Sequence, residues 1–393
     1  MGNVPNLRFP EFSGEWVTKS INDLAVVIGG GTPDTTVKSY WDGEIQWFTP
    51  SEIGKNKYVD SSLRTITEVG LNNSSAKLLP PNTILLSSRA TIGECSLSLR
   101  ECATNQGFQC LVSKKCNVDF LYYLIQTKKK DLIRKSCGST FLEISANEVR
   151  KIQVSVPSDV EQQKIAELLS LIDERIATQN KIIDKLKSLI KGLPHKMAEI
   201  GLQKGCWEKV LLSTVLVERK ELNSELYTVH SVSVSEGVIN QIEYLGRSFA
   251  AKDTSNYHVA RYGDIIYTKS PTGDFPYGIV KQSYIEQPVA ISPLYGVYSP
   301  TSFETGVYLH YYFMSSVLAK NYLYPLIQKG AKNTINISNQ RFLENRIALP
   351  LKQTDRHNIA RALITIQKKL DIEKCAMDSL TKQRSYLLQQ LFI

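Results

Sequence analysis

The sequence predicts an α+β fold with an internal repeat: two mixed α/β domains separated by a long antiparallel two-helix coiled coil. Between residues 158 and 193, apolar side chains recur at steps of four and three, the spacing of a coiled-coil seam. The same ladder returns without a gap late in the chain, where Ile359 takes the place of Ile165. One polar residue interrupts each ladder at the same rung, Gln179 in the first and Glu373 in the second. These observations indicate a pseudo-two-fold internal repeat that accounts for the whole chain.

Each predicted helix carries a narrow apolar stripe that a partner must cover. The seam residues are Ile165, Leu169, Ile172, Ile176, Gln179, Ile183, Leu186 and Ile190 in the first helix and Ile359, Leu363, Ile366, Leu370, Glu373, Met377, Leu380 and Leu387 in the second. The intervening domain can return the chain so that the helices pair antiparallel. A parallel homodimer is the alternative, but the internal partner has the higher effective concentration. In the antiparallel pair, Gln179 and Glu373 would approach each other, either fixing the register or as merely tolerated polar residues.

The chain therefore divides into two domain–helix units. We expect a first domain at 1–157, a first long helix at 158–200, a second domain at 201–350 and a second long helix at 351–393. Ser158 and Glu161 fit a capping box at the start of the first helix, and Thr354 is the candidate cap of the second. Pro194 is expected to stop or kink the first helix.

Both domains are predicted to be mixed α/β and rich in β-strands. Short apolar runs after turn residues predict strands at Ile84–Leu86 and Ile265–Tyr267, and alternation predicts another at Val229–Val234. Helical stretches are expected at Val118–Lys130 and Gly306–Leu318, each followed by a loop and a last strand.

Charge and composition favour a nucleic-acid-binding protein over a membrane, secreted or metal-binding protein. The 393 residues include 47 Lys and Arg against 38 Asp and Glu, a net charge of +9 that suits a polyanionic partner such as nucleic acid. There is no signal-peptide pattern and no apolar run of membrane-spanning length, so we expect a cytoplasmic protein with no membrane contact. The seven cysteines lack metal-binding spacing, and no metal site is expected.

Motifs for common nucleotide and methyl-transfer chemistry are missing. The sequence contains no phosphate-binding loop, no dinucleotide fingerprint and no adenine-methylase signature, and its five histidines are scattered. Nuclease patterns are too loose to exclude in this way. The missing motifs agree with a non-catalytic role, and no catalytic residue is expected.

Five stretches of the sequence together resemble the specificity (S) subunits of type I restriction-modification systems. Pro157 followed by Glu161-Gln162-Gln163-Lys164 and a heptad helix is similar to a repeated region of that family, and the stretch Leu7 to Trp16 looks like the start of its recognition domains. Similar pieces occur at Gly30 to Pro33, Ser88 to Gly93 and Asp253 to Tyr257. The resemblance covers essentially the whole chain, although the second helix begins with a different sequence, Asp355 to Ala360.

The resemblance implies a DNA-binding, non-catalytic subunit of a restriction system. Each target-recognition domain would read one half of a bipartite, asymmetric DNA sequence, and the coil would set the gap. Two methyltransferase (M) subunits would methylate adenine, and two restriction (R) subunits would cleave the DNA. S-adenosylmethionine, ATP and Mg would bind to those partners and not to this chain. The alternatives are a coiled-coil adaptor that does not read DNA and, from the enzyme class, a stand-alone DNA methyltransferase or nuclease.

Base readout needs donors and acceptors on projecting loops, and phosphate contacts need Lys, Arg, Ser, Thr and backbone N–H groups. The first-domain candidates are Gly30, Gly31, Thr32, Lys38, Tyr40, Ser88, Arg89, Thr91, Ser139 and Thr140. The second-domain candidates are Lys269, Ser270, Thr272, Tyr277, Lys332, Asn333 and Thr334. For Arg89 the alternative is a surface salt bridge, and for Tyr40 it is packing in the core. The polar coil residues expected to face the M subunits, or else solvent, are Gln162, Gln163, Asp173, Glu174 and Arg175.

Overall fold

The computed structural model describes residues 3–138, 142–246, 253–329 and 335–393. The chain forms two compact units. The first consists of Met1–Gln179 with Ala376–Ile393, and the second of Asn180–Cys375. Each is mixed α/β, as predicted, and both long helices contribute residues to both units.

The first unit contains ten strands among its described residues. They are β1 (Val17–Ser20), β2 (Ala25–Gly29), β3 (Trp41–Phe48), β4 (Tyr58–Val59), β5 (Arg64–Ile66), β6 (Ile84–Leu86), β7 (Cys95–Ser98), β8 (Cys102–Thr104), β9 (Gln109–Ser113) and β10 (Gln153–Val156). They form a five-stranded sheet in the order β2-β9-β6-β7-β4, a three-stranded sheet β5-β3-β8 and the antiparallel pair β1-β10. The predicted strand Ile84–Leu86 is confirmed and lies in the middle of the larger sheet.

Six α-helices begin among the described residues of the first unit. They are α1 (Ile21–Leu24), α2 (Glu68–Asn72), α3 (Val118–Thr127), α4 (Lys129–Arg134), α5 (Ala146–Arg150) and α6 (Asp159–Gln203). The predicted helix at Val118–Lys130 is thus confirmed, divided into α3 and α4. The main core of this unit contains α3, β10, the start of α6 and two residues near the end of the chain, Leu391 and Phe392.

The second unit has a related plan. Its strands are β11 (Trp207–Leu211), β12 (Leu216–Glu218), β13 (Val229–Ser233), β14 (Gly237–Asn240), β15 (His258–Ala260), β16 (Ile265–Tyr267), β17 (Val280–Gln282), β18 (Val289–Ile291), β19 (Gly296–Pro300), β20 (Gln328–Lys329), β21 (Ile335–Asn336) and β22 (Arg346–Pro350). Its helices are α7 (Gln241–Leu245), α8 (Phe303–Phe313), α9 (Ser316–Leu323), α10 (Asn339–Phe342) and α11 (Gln353–Gln390).

Two four-stranded sheets form the centre of this unit, in the orders β12-β19-β16-β17 and β14-β13-β18-β15. The predicted strands at Ile265–Tyr267 and from Val229 are confirmed, as is the helical stretch from Gly306, which is divided into α8 and α9. In both units the first strand pairs antiparallel with the strand that precedes the long helix, β1 with β10 and β11 with β22. This shared frame is the structural counterpart of the sequence repeat.

The long helices α6 and α11 contain 45 and 38 residues. Of the two expectations for Pro194, the stop is wrong, since α6 continues to Gln203, and the kink stays a prediction. Pro194 and Ala198 are buried, and Gly201 packs against Trp207, so tertiary contacts hold the last turns in place. Thr354 is not the cap of α11, because the helix already begins at Gln353.

Burial along both helices follows the predicted steps of three and four. Ile165, Leu169, Ile183, Ile190, Ile359, Leu363 and Leu370 are buried, and the remaining seam residues are half-buried. In the first unit the start of α6 shares a core with residues 387–392, and Asp173 contacts Arg384, so the two helices run antiparallel there. Gln179 and Glu373 belong to different units and each is half-buried; their approach stays a prediction. No helix in the described part of the chain is long and apolar enough to cross a membrane.

Candidate nucleic-acid interface

Three loops of the first unit are joined side by side, and we call them the loop edge: residues 30–32, 87–91 and 105–107. The Gly31 amide donates to the Thr104 carbonyl at 2.8 Å, and Thr32 Oγ1 donates to Gln106 Oε1 at 2.5 Å. The Ser88 amide donates to the Gly107 carbonyl at 2.8 Å. Two of the predicted DNA-binding loops are therefore neighbours, and a third loop, which the sequence did not single out, connects them.

The two glycines of the loop edge serve close packing within the unit. A Cβ atom on Gly30 would lie 2.0 Å from the Asn105 carbonyl oxygen, and one on Gly31 would lie 2.3 Å from the Ala76 nitrogen. Gly31 is buried, whereas Thr32 is half-buried and presents its side chain towards Gln106. Only glycine fits at these two positions, because a side chain would clash with neighbouring atoms of the same unit. This requirement for glycine does not involve DNA.

The turn after β6 holds three predicted contact residues in different surroundings. Ser88 is fully buried, and its hydroxyl has no hydrogen-bond partner among the described residues. Arg89 pairs with Glu143 at 2.8 Å, so the salt-bridge alternative describes its present state. Ala90 has a positive φ of 55°, which tightens the turn, and Thr91 is exposed. Of the three predicted side chains, that of Thr91 is the most open to solvent.

Lys38 and Tyr40 lie in a short 3₁₀ turn before β3. Lys38 is exposed. Tyr40 is half-buried and packs against the cluster formed by Trp41, Trp47 and Ile66, which corresponds to the core alternative for this residue. Its carbonyl accepts a hydrogen bond from the Thr67 amide at 3.0 Å.

The second unit presents a comparable turn between β16 and β17. Lys269 has a φ of 60° and is half-buried, and burial lowers the pKa of its ammonium. Ser270 and Thr272 are exposed, and Thr272 forms a tight turn with Phe275. Tyr277 is half-buried, and its carbonyl accepts a hydrogen bond from Tyr267 Oη at 2.7 Å. The candidates Ser139, Thr140, Lys332, Asn333 and Thr334 lie outside the described residues.

Two exposed residues near the loop edge were missed from the sequence. The side-chain carbonyl of Gln106 accepts a hydrogen bond from Thr32. The side-chain N–H donors of Gln106 take no part in that bond. Arg64 places its Cζ atom 3.5 Å from the ring centre of Trp41. The two tryptophans beneath it, Trp41 and Trp47, share one face of β3 six residues apart. That pairing was a usable sequence signal, whereas the position of Gln106 depends on the loop packing.

The polar residues expected to face partner proteins are partly occupied within the first unit, which corrects that expectation. Gln162 is buried and accepts from Cys116 Sγ at 3.2 Å. Gln163 accepts from Asn117 Nδ2 at 2.6 Å, and Asp173 accepts from Arg384 and Tyr123. Tertiary contacts from α3 and α11 take up these side chains. Glu174 and Arg175 remain exposed.

The buried thiols of this unit are chemically inert. Burial raises the pKa of Cys95, Cys102, Cys110 and Cys116 to about 12, so all four are protonated at neutral pH. The turns of the loop edge are fixed by backbone hydrogen bonds and present hydroxyl, amide and guanidinium groups.

The first part of the chain is similar to a known protein family. Residues 13–188 match the family model of the type I restriction modification DNA specificity domain. The chain is 39% identical over 180 residues to the specificity subunit of the type I restriction enzyme MjaIX of Methanocaldococcus jannaschii, covering 44% of this chain and 42% of that protein. It is 31% identical over 199 residues to the EcoR124I/EcoR124II specificity subunit of Escherichia coli, covering 49% and 46%. The matched region thus spans less than half of each of these relatives.

A solved structure extends the likeness to the whole chain. The crystal structure of a type I restriction-modification S subunit from M. genitalium matches with a TM-score of 0.58 over 99% of both chains, at 16% identity. At that identity the likeness establishes the fold alone.

Proposed function

We propose that this chain is a type I restriction-modification specificity subunit, and that it selects the DNA sequence on which a methyltransferase and endonuclease complex acts. Each domain would read one half of a bipartite, asymmetric target. The chain itself would carry out no chemistry and bind no cofactor. Adenine methylation and cleavage would belong to two M and two R subunits, with S-adenosylmethionine, ATP and Mg bound there.

One observation carries this proposal. Both units repeat a frame in which a two-stranded ribbon, formed by the first and last strands of the domain, leads into a long helix, yet their exposed turns differ in length and residues. The turn after β6 offers Arg89 and Thr91, whereas the turn after β16 offers Lys269, Ser270 and Thr272. A repeated scaffold with dissimilar loops suits two different half-site sequences.

Mapping of methylated adenines tests the proposal. Cells that express this chain with its M subunits should carry one methylated motif in two parts separated by a fixed gap. A continuous motif would contradict bipartite reading. If sequence-specific binding were absent from the M-containing complex, the chain would instead be an adaptor.

Domain exchange tests the division of labour between the two units. Replacing residues 29–155 with the corresponding segment of a related protein should change one half of the motif and leave the other half and the gap unchanged. A change in both halves would contradict independent reading.

The long helices are proposed to set the gap. Adding one heptad at matched positions of α6 and α11 preserves the seam, because seven residues restore the same helix face. The expected result is a longer gap between unchanged half-sites. If the half-sites changed and the gap did not, the helices would not act as the spacer.

A further inference from the structure

Among the described residues of the first unit, the most exposed large apolar side chain lies at a rigid corner, residues 62–64, beside the loop edge. Leu63 is 86% exposed. The backbone around it is nevertheless fixed: the Ser62 amide donates to Gln46 Oε1 at 2.7 Å, and the Leu63 amide donates to Glu52 Oε1 at 2.6 Å. Ser62 Oγ donates to the Arg64 carbonyl at 2.6 Å and accepts from the Trp47 amide at 2.9 Å. A corner held this firmly while it exposes a leucine has the properties of a contact surface.

Arg64 follows Leu63 in the sequence. Its guanidinium packs on an aromatic ring and not against a carboxylate. Its guanidinium lies over Trp41, with Cζ 3.5 Å from the ring centre, and Trp41 meets Trp47 edge-on at 5.1 Å. Among the residues that the structure describes, no carboxylate pairs with Arg64. By contrast, Arg8, Arg89, Arg100 and Arg134 each form an ion pair with Asp or Glu. The N–H donors of Arg64 are therefore available to a partner.

The position of this guanidinium is tied to the loop edge. Trp47 Nε1 donates to the Gly31 carbonyl at 2.9 Å, and Trp41 Nε1 donates to the Asp34 carbonyl at 3.1 Å. The same two rings thus support Arg64 and the loop after β2. Arg64 extends the loop edge with a charged, planar fork of donors.

We propose that Arg64 determines specificity in the first half-site by donating two hydrogen bonds to O6 and N7 of a guanine in the major groove. The inference rests on the proposed DNA-reading function. Bidentate Arg–guanine recognition needs a planar fork held in a fixed direction, and stacking on Trp41 supplies that orientation before DNA binds. Leu63 would cover the neighbouring base edge or backbone.

Two substitutions of Arg64 separate base reading from other roles. Arg64→Met keeps an unbranched apolar stem but removes the charge and the donors, and Arg64→Lys keeps the charge but removes the fork. Arg100→Met is the matched control, since Arg100 is also exposed in the same unit but is paired with Asp60 at 2.6 Å. The full chain, together with its M subunits, is tested against DNA carrying the wild-type motif and each single base-pair change.

We expect both Arg64 variants to lose about ten- to a hundredfold of the preference for one G·C pair, in one half-site only. Arg64→Lys should retain most of the affinity for unrelated DNA, and Arg100→Met should read the wild-type motif. Full restoration by lysine, or an equal loss for all sequences in Arg64→Met, would assign a phosphate contact and overturn base reading. An unchanged motif in both variants, with unchanged thermal unfolding, would reduce Arg64 to a cover for Trp41. Failure of the proposed function is distinguishable, because then the wild-type complex itself would show no bipartite motif.

Discussion

The starts of the two domains show the same frame supported by different chemistry. In the first unit, Trp16 Nε1 donates to Glu161 Oε1 at 3.3 Å, and Arg8 donates to both carboxylate oxygens of Glu161 at 2.8 Å. Ser158 Oγ accepts from the Glu161 amide at 3.4 Å, so this half of the predicted capping box is present, whereas the Glu161 carboxylate is taken up by Arg8 and Trp16. This carboxylate ties the N-terminal segment to α6.

In the second unit the corresponding tryptophan is held by apolar contacts. Trp207 lies directly over Gly201 of α6 and meets Tyr308 of α8 at a ring distance of 5.5 Å. Position 163 of the first helix corresponds to 357 of the second, and both contact the first residues of a domain helix: Gln163 with Asn117, and His357 with Glu304. The repeat thus preserves positions and contacts between elements, whereas the polar chemistry at each contact has diverged.

Removing the carboxylate of Glu161 should give the largest effect. Glu161→Ala leaves Arg8 with no ionic partner at a largely buried position, which costs about 3–5 kcal/mol. The matched substitution Asp355→Ala affects a half-buried residue at the same place in the repeat and should cost less than about 1 kcal/mol. Urea unfolding followed by hydrogen exchange in β1–β10 and β11–β22 would measure both. Equal losses would contradict the chemical difference between the two units.

Acid should destabilise the second unit through His310. All five histidines lie in this unit. Burial, together with the nearby charge of Lys281, lowers the pKa of His310 to about 3, and its Nδ1 accepts from the Gln282 amide at 2.9 Å. The unfolded chain protonates this ring near pH 6.5, so stability present above that pH is lost as the pH falls towards 3.

At pH 4.5 the expected loss of unfolding free energy from His310 is about 2–3 kcal/mol. Urea unfolding at pH 7 and pH 4.5 would measure it. His310→Gln keeps an acceptor but cannot titrate, and it should show a correspondingly smaller difference between the two pH values. An unchanged pH dependence in the variant would show that other groups are responsible.

Two buried lysines should respond in opposite directions to replacement by methionine. Lys57 in the first unit is paired with Asp119 at 2.6 Å, whereas Lys281 in the second is 5% exposed and forms no ion pair among the described residues. Burial lowers the pKa of Lys281 to about 8. The unfolded chain holds that proton up to a pH of about 10.4, so the destabilisation is complete below pH 8 and is relieved as the pH rises between these values.

Lys281→Met should therefore raise the unfolding free energy at pH 7 by about 2–3 kcal/mol, and Lys57→Met should lower it by about 1–3 kcal/mol. Thermal and urea unfolding at pH 7 would measure both. The same sign for both variants would contradict the contrast between paired and unpaired buried charge.

The smallest effect concerns two glycines of α6. A Cβ atom on Gly201 would lie 2.0 Å from the Trp207 ring, whereas one on Gly192 meets nothing within 4 Å. Gly201→Ala should cost about 1–3 kcal/mol through overpacking, and Gly192→Ala should add about 0.5–1 kcal/mol through helix propensity. Thermal unfolding of the two variants would give opposite shifts. A stabilising Gly201→Ala would mean that Trp207 moves aside readily.

The elements that could be predicted from the sequence depend on periodicity. The steps of three and four anticipated which helix residues are buried, and the short apolar runs anticipated β6 and β16. The continuation of α6 past Pro194 was not foreseen, because packing from other elements outweighs a local helix breaker. The burial of Ser88 and the exposed position of Arg64 were not foreseen either, because they depend on neighbours distant in sequence, Gly107 for one and Trp41 for the other. Loop residues carry little periodic signal, so the candidate interface was the part least accessible to sequence reasoning.

The first unit has a further property, which concerns its synthesis. Its core includes Leu391 and Phe392, and Phe392 contacts Phe120 and Trp16 at ring distances of 5.3 and 6.5 Å. The Leu7 amide also donates to the Gln390 carbonyl at 2.9 Å. On the ribosome, this core therefore stays open while the whole second unit is made, and it closes only after residues 376–393 emerge. Chaperone binding during synthesis should accordingly concentrate on the part of the protein that is made first.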